Sequence, residues 1–155
     1  MRSAQGIGTG VALGVHHSPL PHSPHILLVE DEPTIVVPLI DDLEADGFAV
    51  THTPDGAHAV ALVAGRDFDA VITDLRLPGA EGVQVLRAIR RRSRHVLVVV
   101  ITACLAGRGP ELLRAGADTI FEKPFANHVV IDWLRAALGA DTFSPSRHGR
   151  SSHQA

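Results

Sequence analysis

The feature that most constrains the fold is an alternation of short apolar runs with longer segments whose apolar residues recur at helical spacing. The short runs predict strands at 26–29, 48–51, 70–73, 96–101 and 119–121. The longer segments predict helices at 32–46, 55–64, 83–91, 110–115 and 127–138. Uninterrupted apolar strands are typical of a parallel sheet covered on both faces, and repeated strand–helix units favour that arrangement. The sequence therefore predicts an α/β fold with a doubly wound, five-stranded parallel sheet.

The two ends of the chain differ from this alternating middle. Residues 1–24 and 140–155 are rich in Gly, Ser, Pro and His, without sustained periodicity. We therefore expect a disordered N-terminal tail over 1–24, a folded domain over 25–139 and a disordered C-terminal tail over 140–155. There is no convincing signal peptide and no apolar run long enough to span a bilayer, so we expect a cytoplasmic protein without a membrane partner. The single cysteine, Cys104, excludes an intramolecular disulfide.

Charge narrows the possible partners. The chain has 14 Lys and Arg and 17 Asp and Glu, of which three and one lie in the two end segments. The predicted domain thus carries 11 basic and 16 acidic residues, and direct nucleic-acid binding is not expected.

Arginines crowd the end of the third predicted helix, at positions 87, 90, 91, 92 and 94. Because cations suit a helix C-terminus, a solvated helix end is favoured over a docking patch.

Two local features bear on the helix ends. Pro38 falls in the second turn of the first predicted helix, where it removes a backbone hydrogen bond, so we expect a kink or a late helix start there. Asn127 precedes the last apolar segment and is predicted to cap that helix.

Polar residues follow four of the five predicted strands. They are Glu30, Asp31 and Glu32 after the first, Asp74 after the third, Thr102 after the fourth and Lys123 after the fifth. The carboxyl ends of parallel strands meet at one edge of the sheet, where ligands bind in such folds. Clustered carboxylates suit a hard cation such as Mg²⁺. With that cation present, one carboxylate can attack a phosphoryl group while a lysine and a hydroxyl neutralise its oxygens.

These residues lie in segments that resemble the receiver domain of bacterial two-component response regulators. The matching segments are Ile-Leu-Leu-Val-Glu-Asp-Glu-Pro (26–33), Thr-Asp-Leu-Arg-Leu-Pro-Gly (73–79), Ile-Thr-Ala (101–103), Gly-Ala-Asp (116–118) and Glu-Lys-Pro-Phe (122–125). They have the order and spacing of the family, and the resemblance covers about 25–139. It implies the (βα)5 flavodoxin-like receiver fold.

The resemblance implies a magnesium site. Asp31 would bind Mg²⁺ directly and Glu30 directly or through water. Asp74 and the backbone carbonyl of Arg76 would complete the protein ligands. The long side chain of Arg76 could lie over the phosphoryl group or point to solvent, and the sequence leaves both options open.

The resemblance also implies the phosphoryl site. Asp74 would be the phosphoacceptor, and Thr102 and Lys123 would contact the phosphoryl group, with the small Ala103 keeping the pocket open. The family and the tight turn after the fifth strand together suggest a cis peptide bond between Lys123 and Pro124.

One position departs from the family pattern. Receivers usually have Tyr or Phe three residues before the lysine, and this aromatic ring swings inward when the threonine moves toward the phosphoryl group. This chain has Ile120 there. The switch pair would then be Thr102 and Ile120, and we expect the signal-propagating step to be weakened, with the acceptor and metal site unaffected.

The resemblance implies a function in signalling. We expect a single-domain response regulator that accepts a phosphoryl group from a sensor histidine kinase or a histidine phosphotransfer protein. It would act on an unidentified downstream protein or relay the phosphoryl group, and it would not be an enzyme with a separate substrate. One alternative is a constitutive interaction module whose switch is weakened by Ile120. A Mg²⁺-dependent phosphatase is disfavoured because Arg76 stands where that class has a second carboxylate.

Overall fold

The computed structural model describes residues 22–139, in which five strands alternate with five helices. The strands are β1 (His25–Val29), β2 (Ala49–Thr53), β3 (Ala70–Asp74), β4 (Leu97–Thr102) and β5 (Thr119–Glu122). The helices are α1 (Pro33–Ala45), α2 (Gly56–Gly65), α3 (Gly82–Arg92), α4 (Gly109–Ala115) and α5 (Asn127–Leu138). All strands pair in parallel in the order β2-β1-β3-β4-β5, which confirms the predicted fold class. The predicted tails lie almost entirely outside the described residues.

The sheet is covered on both faces because its central strands are apolar on both faces. Leu27, Val71 and Val98 face the side covered by α2, α3 and α4. Ile26 and Ile72 face the other side, which is covered by α1 and α5. Burying each such side chain contributes about 1.5–3 kcal/mol to folding. No helix within residues 22–139 is long and apolar enough to cross a membrane.

The first helix runs through its internal proline. It begins at Pro33, in the first turn, where the missing N–H costs no hydrogen bond, and it continues past Pro38 to Ala45. The expected late start at Pro38 is therefore wrong. The buried residues Val36, Leu39 and Leu43 hold the helix against the sheet and outweigh the local loss at Pro38, which is exposed.

The predicted cap of the last helix is also wrong. Ala126 occupies the N-cap position, and Asn127 is the first helical residue of α5. The Asn127 side-chain amide instead donates a hydrogen bond of 2.8 Å to Asp42 Oδ2 on α1. A contact across 85 residues of sequence satisfies this side chain in place of the local backbone.

The start of α3 lies directly against the end of β3. The Gly82 N–H donates to the carbonyl oxygen of Leu75 at 2.9 Å. A Cβ atom on Gly82 would collide with the carbonyl oxygen of Asp74, so only glycine allows this close approach. The helix thus supports the backbone of the residue predicted to accept the phosphoryl group.

One arginine of the basic cluster fastens the other end of α3. The Arg90 guanidinium donates to the carbonyl oxygens of Gly116 (2.7 Å) and Val96 (2.6 Å) and to Asp118 Oδ2 (2.6 Å). The same Asp118 oxygen accepts the N–H of Val98 at 2.7 Å. Arg90 therefore joins α3 to the start of β4 and to the turn before β5.

We predict that Arg90→Met lowers the free energy of unfolding by about 2–3 kcal/mol, because acceptors of charge-assisted hydrogen bonds lose their donor. Urea unfolding followed by circular dichroism measures this. Arg92→Met is the matched control, because the Arg92 guanidinium is exposed and its ion pair with Asp67, at 3.9 Å, is long and solvated. We expect its free energy of unfolding to stay within about 0.5 kcal/mol of the wild type. Equal losses in the two variants would contradict the role given to Arg90.

Candidate functional site

The predicted site residues converge at the carboxyl edge of the sheet. Asp74 and Thr102 are the last residues of β3 and β4, Glu30 directly follows β1, and Lys123 directly follows β5. The strand order places β1 and β4 on either side of β3, so Asp74 lies at the centre of this edge. Ligand oxygens of Glu30, Asp31 and Asp74 lie within 4.8 Å of one another. The clustering expected from the sequence is therefore present.

Burial differs among the three carboxylates. Glu30 is fully buried and Asp74 is 7% exposed, whereas Asp31 is exposed. Two carboxylates thus lie in the floor of the site and the third lies at its mouth. This arrangement allows an ion or a phosphoryl group to enter from solvent on the Asp31 side.

A lysine holds the two buried carboxylates together. Lys123 Nζ donates to Asp74 Oδ2 at 2.9 Å and lies 2.7 Å from Glu30 Oε2. Glu32 Oε2, in the exposed first turn before α1, is 4.0 Å from the same ammonium. The peptide bond from Lys123 to Pro124 is cis, as predicted.

The pKa directions follow from this buried pair. Burial raises the pKa of Glu30 above its ordinary value, and the contact with Lys123 only partly offsets that rise. For Lys123, burial alone would lower the pKa, but the close contacts with the Glu30 and Asp74 carboxylates and their negative charges outweigh burial and raise the pKa. Lys123 is therefore held in its charged form, as a site for phosphoryl oxygens requires.

Backbone donors fix the remaining carboxylate oxygens. Asp74 Oδ1 accepts the N–H groups of Leu75 at 2.5 Å and Arg76 at 3.2 Å. Glu30 Oε1 accepts the N–H groups of Asp31 at 3.1 Å and Glu32 at 3.0 Å. Both buried carboxylates are thus oriented before any ligand is bound.

The residues present fit a magnesium ion. Glu30 Oε2 is buried and receives no hydrogen bond from the described residues, because the contact with Lys123 lacks hydrogen-bond geometry. Glu30, Asp31 and Asp74 together form a cluster of carboxylate oxygens of the kind that Mg²⁺ prefers. Glu30, Asp31 and Asp74 could hold the ion, with the Arg76 carbonyl as the further ligand that the resemblance implies.

Thr102 is at the expected edge, but its hydroxyl has other partners. The side chain is 3% exposed, and Oγ1 accepts the Cys104 N–H at 3.2 Å and lies 3.3 Å from the Cys104 carbonyl oxygen. The structure therefore gathers Glu30, Asp31, Asp74 and Lys123 around one point, while the Thr102 hydroxyl is bonded within the turn after β4.

Ile120, on β5, is half-buried. It pairs in register with Val100 of β4 and is partly buried against the core cluster that contains Val98, Leu112 and Ala117. Its side chain thus occupies space inside the fold that borders β4 and α4.

The side chain of Arg76 is exposed, and its guanidinium has no carboxylate within 4.0 Å among residues 22–139. Together with Asp31 and Arg108 it lines an open concavity of about 420 Å³ next to the acidic cluster. Of the two orientations left open by the sequence, the solvent-facing one is present.

Sequence reasoning missed one supporting residue. A ring nitrogen of His52, at the end of β2, lies 2.9 Å from the carbonyl oxygen of Glu30 and holds the acidic loop. The Glu30 N–H donates in turn to the carbonyl oxygen of Thr53 at 3.2 Å. Only the pairing of β1 with β2 reveals these contacts, and no local sequence pattern marks them.

Comparisons with known proteins identify the family of this chain. The family model "Response regulator receiver domain" matches residues 26–135. The transcriptional regulatory protein TcrA of Mycobacterium tuberculosis is 39% identical over 117 residues, which cover 72% of this chain and 44% of TcrA. The chain spans about half the length of the curated relatives it matches.

Solved structures show the same fold. The receiver domain of a sensor histidine kinase from Pseudomonas aeruginosa, with a magnesium ion coordinated in its active-site cleft, is similar with a TM-score of 0.69 and 31% identity. The match covers 75% of this chain and 98% of that one. A CheY-like receiver from Methanospirillum hungatei shares the fold with a TM-score of 0.72 at 21% identity, over 77% of this chain and 96% of that one. With the family model matching most of the folded part, this chain belongs to the response regulator receiver domain family of two-component signalling systems.

Proposed function

We propose that this receiver accepts a phosphoryl group on Asp74 from a sensor histidine kinase or a histidine phosphotransfer protein, in a Mg²⁺-dependent reaction. The observation that carries the proposal is the Asp74 carboxylate at the edge of the sheet, 2.9 Å from the Lys123 ammonium and clustered with the carboxylates of Glu30 and Asp31. The phosphorylated protein then acts through protein–protein contacts or passes the group on. It is a phosphoacceptor with no separate substrate to turn over.

The chain's own residues supply the nucleophile and much of the charge. A carboxylate oxygen of Asp74 forms a bond to phosphorus while the bond from phosphorus to the donor's imidazole nitrogen breaks. Lys123 moves from Asp74 toward a phosphoryl oxygen and stabilises its charge. Bound Mg²⁺ would offset the charge on the other phosphoryl oxygens, and Glu30, Asp31 and Asp74 would hold it.

Thr102 has to change partners to take part. Its hydroxyl is bonded to the backbone of Cys104, so contact with the phosphoryl group requires rotation or movement of the turn after β4. That movement is where phosphorylation would be converted into a change of shape.

A second candidate function follows from Ile120. A receiver-like module could bind its partner regardless of phosphorylation if the switch between Thr102 and residue 120 is weak. Ile120 is β-branched and stiff about its first torsion, so it cannot sweep the arc of an aromatic ring. The two candidates differ in what phosphorylation changes and not in whether Asp74 is phosphorylated.

We predict that incubation with acetyl phosphate and Mg²⁺ adds one phosphoryl group and that Asp74→Asn abolishes the addition, because the amide is no longer a nucleophile. Intact-mass spectrometry measures the uptake. Asp132→Asn, a change of an exposed carboxylate on α5, is the matched control and should be labelled like the wild type. Equal labelling of the Asp74 variant would refute the assignment.

We predict that Asp31→Asn weakens Mg²⁺ binding at least tenfold, which corresponds to about 1.4 kcal/mol, because a charged oxygen ligand is replaced by a neutral one. Isothermal titration calorimetry on the unphosphorylated protein measures the affinity. Glu44→Gln removes one exposed negative charge from α1 and should leave the affinity within about twofold, given screening at the surface. Similar losses in both variants would show that general charge, and not ligation, controls Mg²⁺ binding.

We predict that a beryllofluoride phosphoryl mimic changes the environment near Asp74 and Thr102 but has little effect on residues 112–113 and 129–133. Losing one bistable element reduces the coupling free energy between the site and that distant face without affecting phosphoryl uptake. Amide hydrogen exchange with and without the mimic tests this. Changes in α4 and α5 as large as those near Asp74 would show that Ile120 does transmit the signal.

A further inference from the structure

Basic charge is concentrated at one end of the molecule. Five of the 11 Lys and Arg residues in 25–139 lie within residues 87–94, a stretch without Asp or Glu. The remainder of that range contains six basic and 16 acidic residues. This basic end lies far from the phosphoacceptor, because α3 begins beside Asp74 and extends for 11 residues, about 16 Å at 1.5 Å per residue.

Four of these arginines line an open concavity of about 420 Å³, together with Ser93 and Ala115. One of them is Arg90, which is bound within the fold, and the other three are Arg87, Arg91 and Arg94. None of the three guanidinium groups has a carboxylate within 4.0 Å or a hydrogen-bond acceptor among residues 22–139. Arg87 and Arg91, four residues apart, lie on one side of α3, and Arg94 lies in the chain just after the helix.

Helix geometry and folding account for Arg90 and Arg91 but not for Arg87 and Arg94. Arg90 is structural, since its guanidinium is bound to Gly116, Val96 and Asp118. The helix dipole favours cations only in the last turn, where Arg91 lies with Arg90 and Arg92. Arg87 precedes that turn and Arg94 follows the helix, so both contribute repulsion without a compensating partner in the described chain. The arrangement is consistent with a site whose counter-charge comes from outside.

We propose that this concavity docks a short acidic segment, rich in Asp or Glu, of a partner protein. Charge complementarity carries the proposal, since guanidinium groups bind carboxylates bidentately and three of them face one space. A segment of a few residues matches a patch that is itself confined to residues 87–94 and Ala115.

Nucleic acid fits the same surface less well. Duplex DNA carries one charge per about 1.7 Å and would extend past the patch onto the acidic remainder of the domain, which would repel it. The lining of the concavity also offers no aromatic ring on which a single-stranded base could stack. The acidic protein segment is therefore the occupant that the observations favour.

This docking site goes beyond the proposed phosphoacceptor role and does not depend on it. Because the concavity and Asp74 lie at opposite ends of α3, a partner bound at the arginines leaves the phosphoacceptor edge accessible. The protein could thus stay bound to its partner while it is phosphorylated.

Titration calorimetry of the full chain with a peptide of eight glutamates tests the proposal at low ionic strength. We expect the double variant Arg87→Gln with Arg91→Gln to bind the peptide at least tenfold more weakly than the wild type. Arg66→Gln/Arg108→Gln removes the same charge from exposed positions outside the concavity and should change the affinity by less than twofold. Unfolding midpoints of both double variants should match the wild type, since none of the four side chains joins distant parts of the chain.

Three results of the binding measurements would overturn the proposal. They are no binding at millimolar peptide, equal losses in the two double variants, and tighter binding of a twelve-nucleotide single strand that the Arg87/Arg91 variant abolishes. Inhibition of acetyl phosphate uptake by saturating peptide would also contradict it, because the two sites would then not be separate. Unchanged uptake with peptide bound would support the separation.

Discussion

The site depends on the contact of the Lys123 ammonium with the buried carboxylates of Glu30 and Asp74. Glu30 and Asp74 are both buried, and their charges would repel each other at the centre of the sheet edge without a cation between them. The cost of burying Glu30 appears as a raised pKa, and the two carboxylates in turn raise the pKa of Lys123. The buried Oε2 of Glu30 is held by the charge of Lys123 without a hydrogen bond from the described residues, and Glu30, Asp31 and Asp74 together form a carboxylate cluster that could hold a metal ion.

Helix α3 is attached to the sheet at both of its ends. Gly82 lets α3 begin directly against Asp74, and Arg90 fastens the far end of the same helix to β4 and the turn before β5. The helix is therefore held at both ends by contacts that its exposed arginines do not share. The helix therefore separates the edge that carries Asp74 from the concavity lined by the arginines.

Thr102 and Ile120 are the two residues predicted to carry a change at the site into the rest of the domain. Thr102 is bonded to the backbone of Cys104, and Ile120 is partly buried against the core next to α4. An isoleucine at this position fills space without the rotational freedom of an aromatic ring.

Hydrophobic patterning in the sequence determined the fold class, the approximate bounds of the ten elements and the clustering of Glu30, Asp31, Asp74 and Lys123. It did so because apolar runs and parallel-strand topology leave few arrangements, and the polar residues after the strands must share one edge. The tertiary structure decided what local pattern cannot encode. The amide of Asn127 binds Asp42 on α1 instead of capping its own helix, and α1 passes through Pro38 because buried packing outweighs a lost hydrogen bond. His52 holds the Glu30 loop, and Arg90 alone among five neighbouring arginines has a structural role, because each depends on partners distant in sequence.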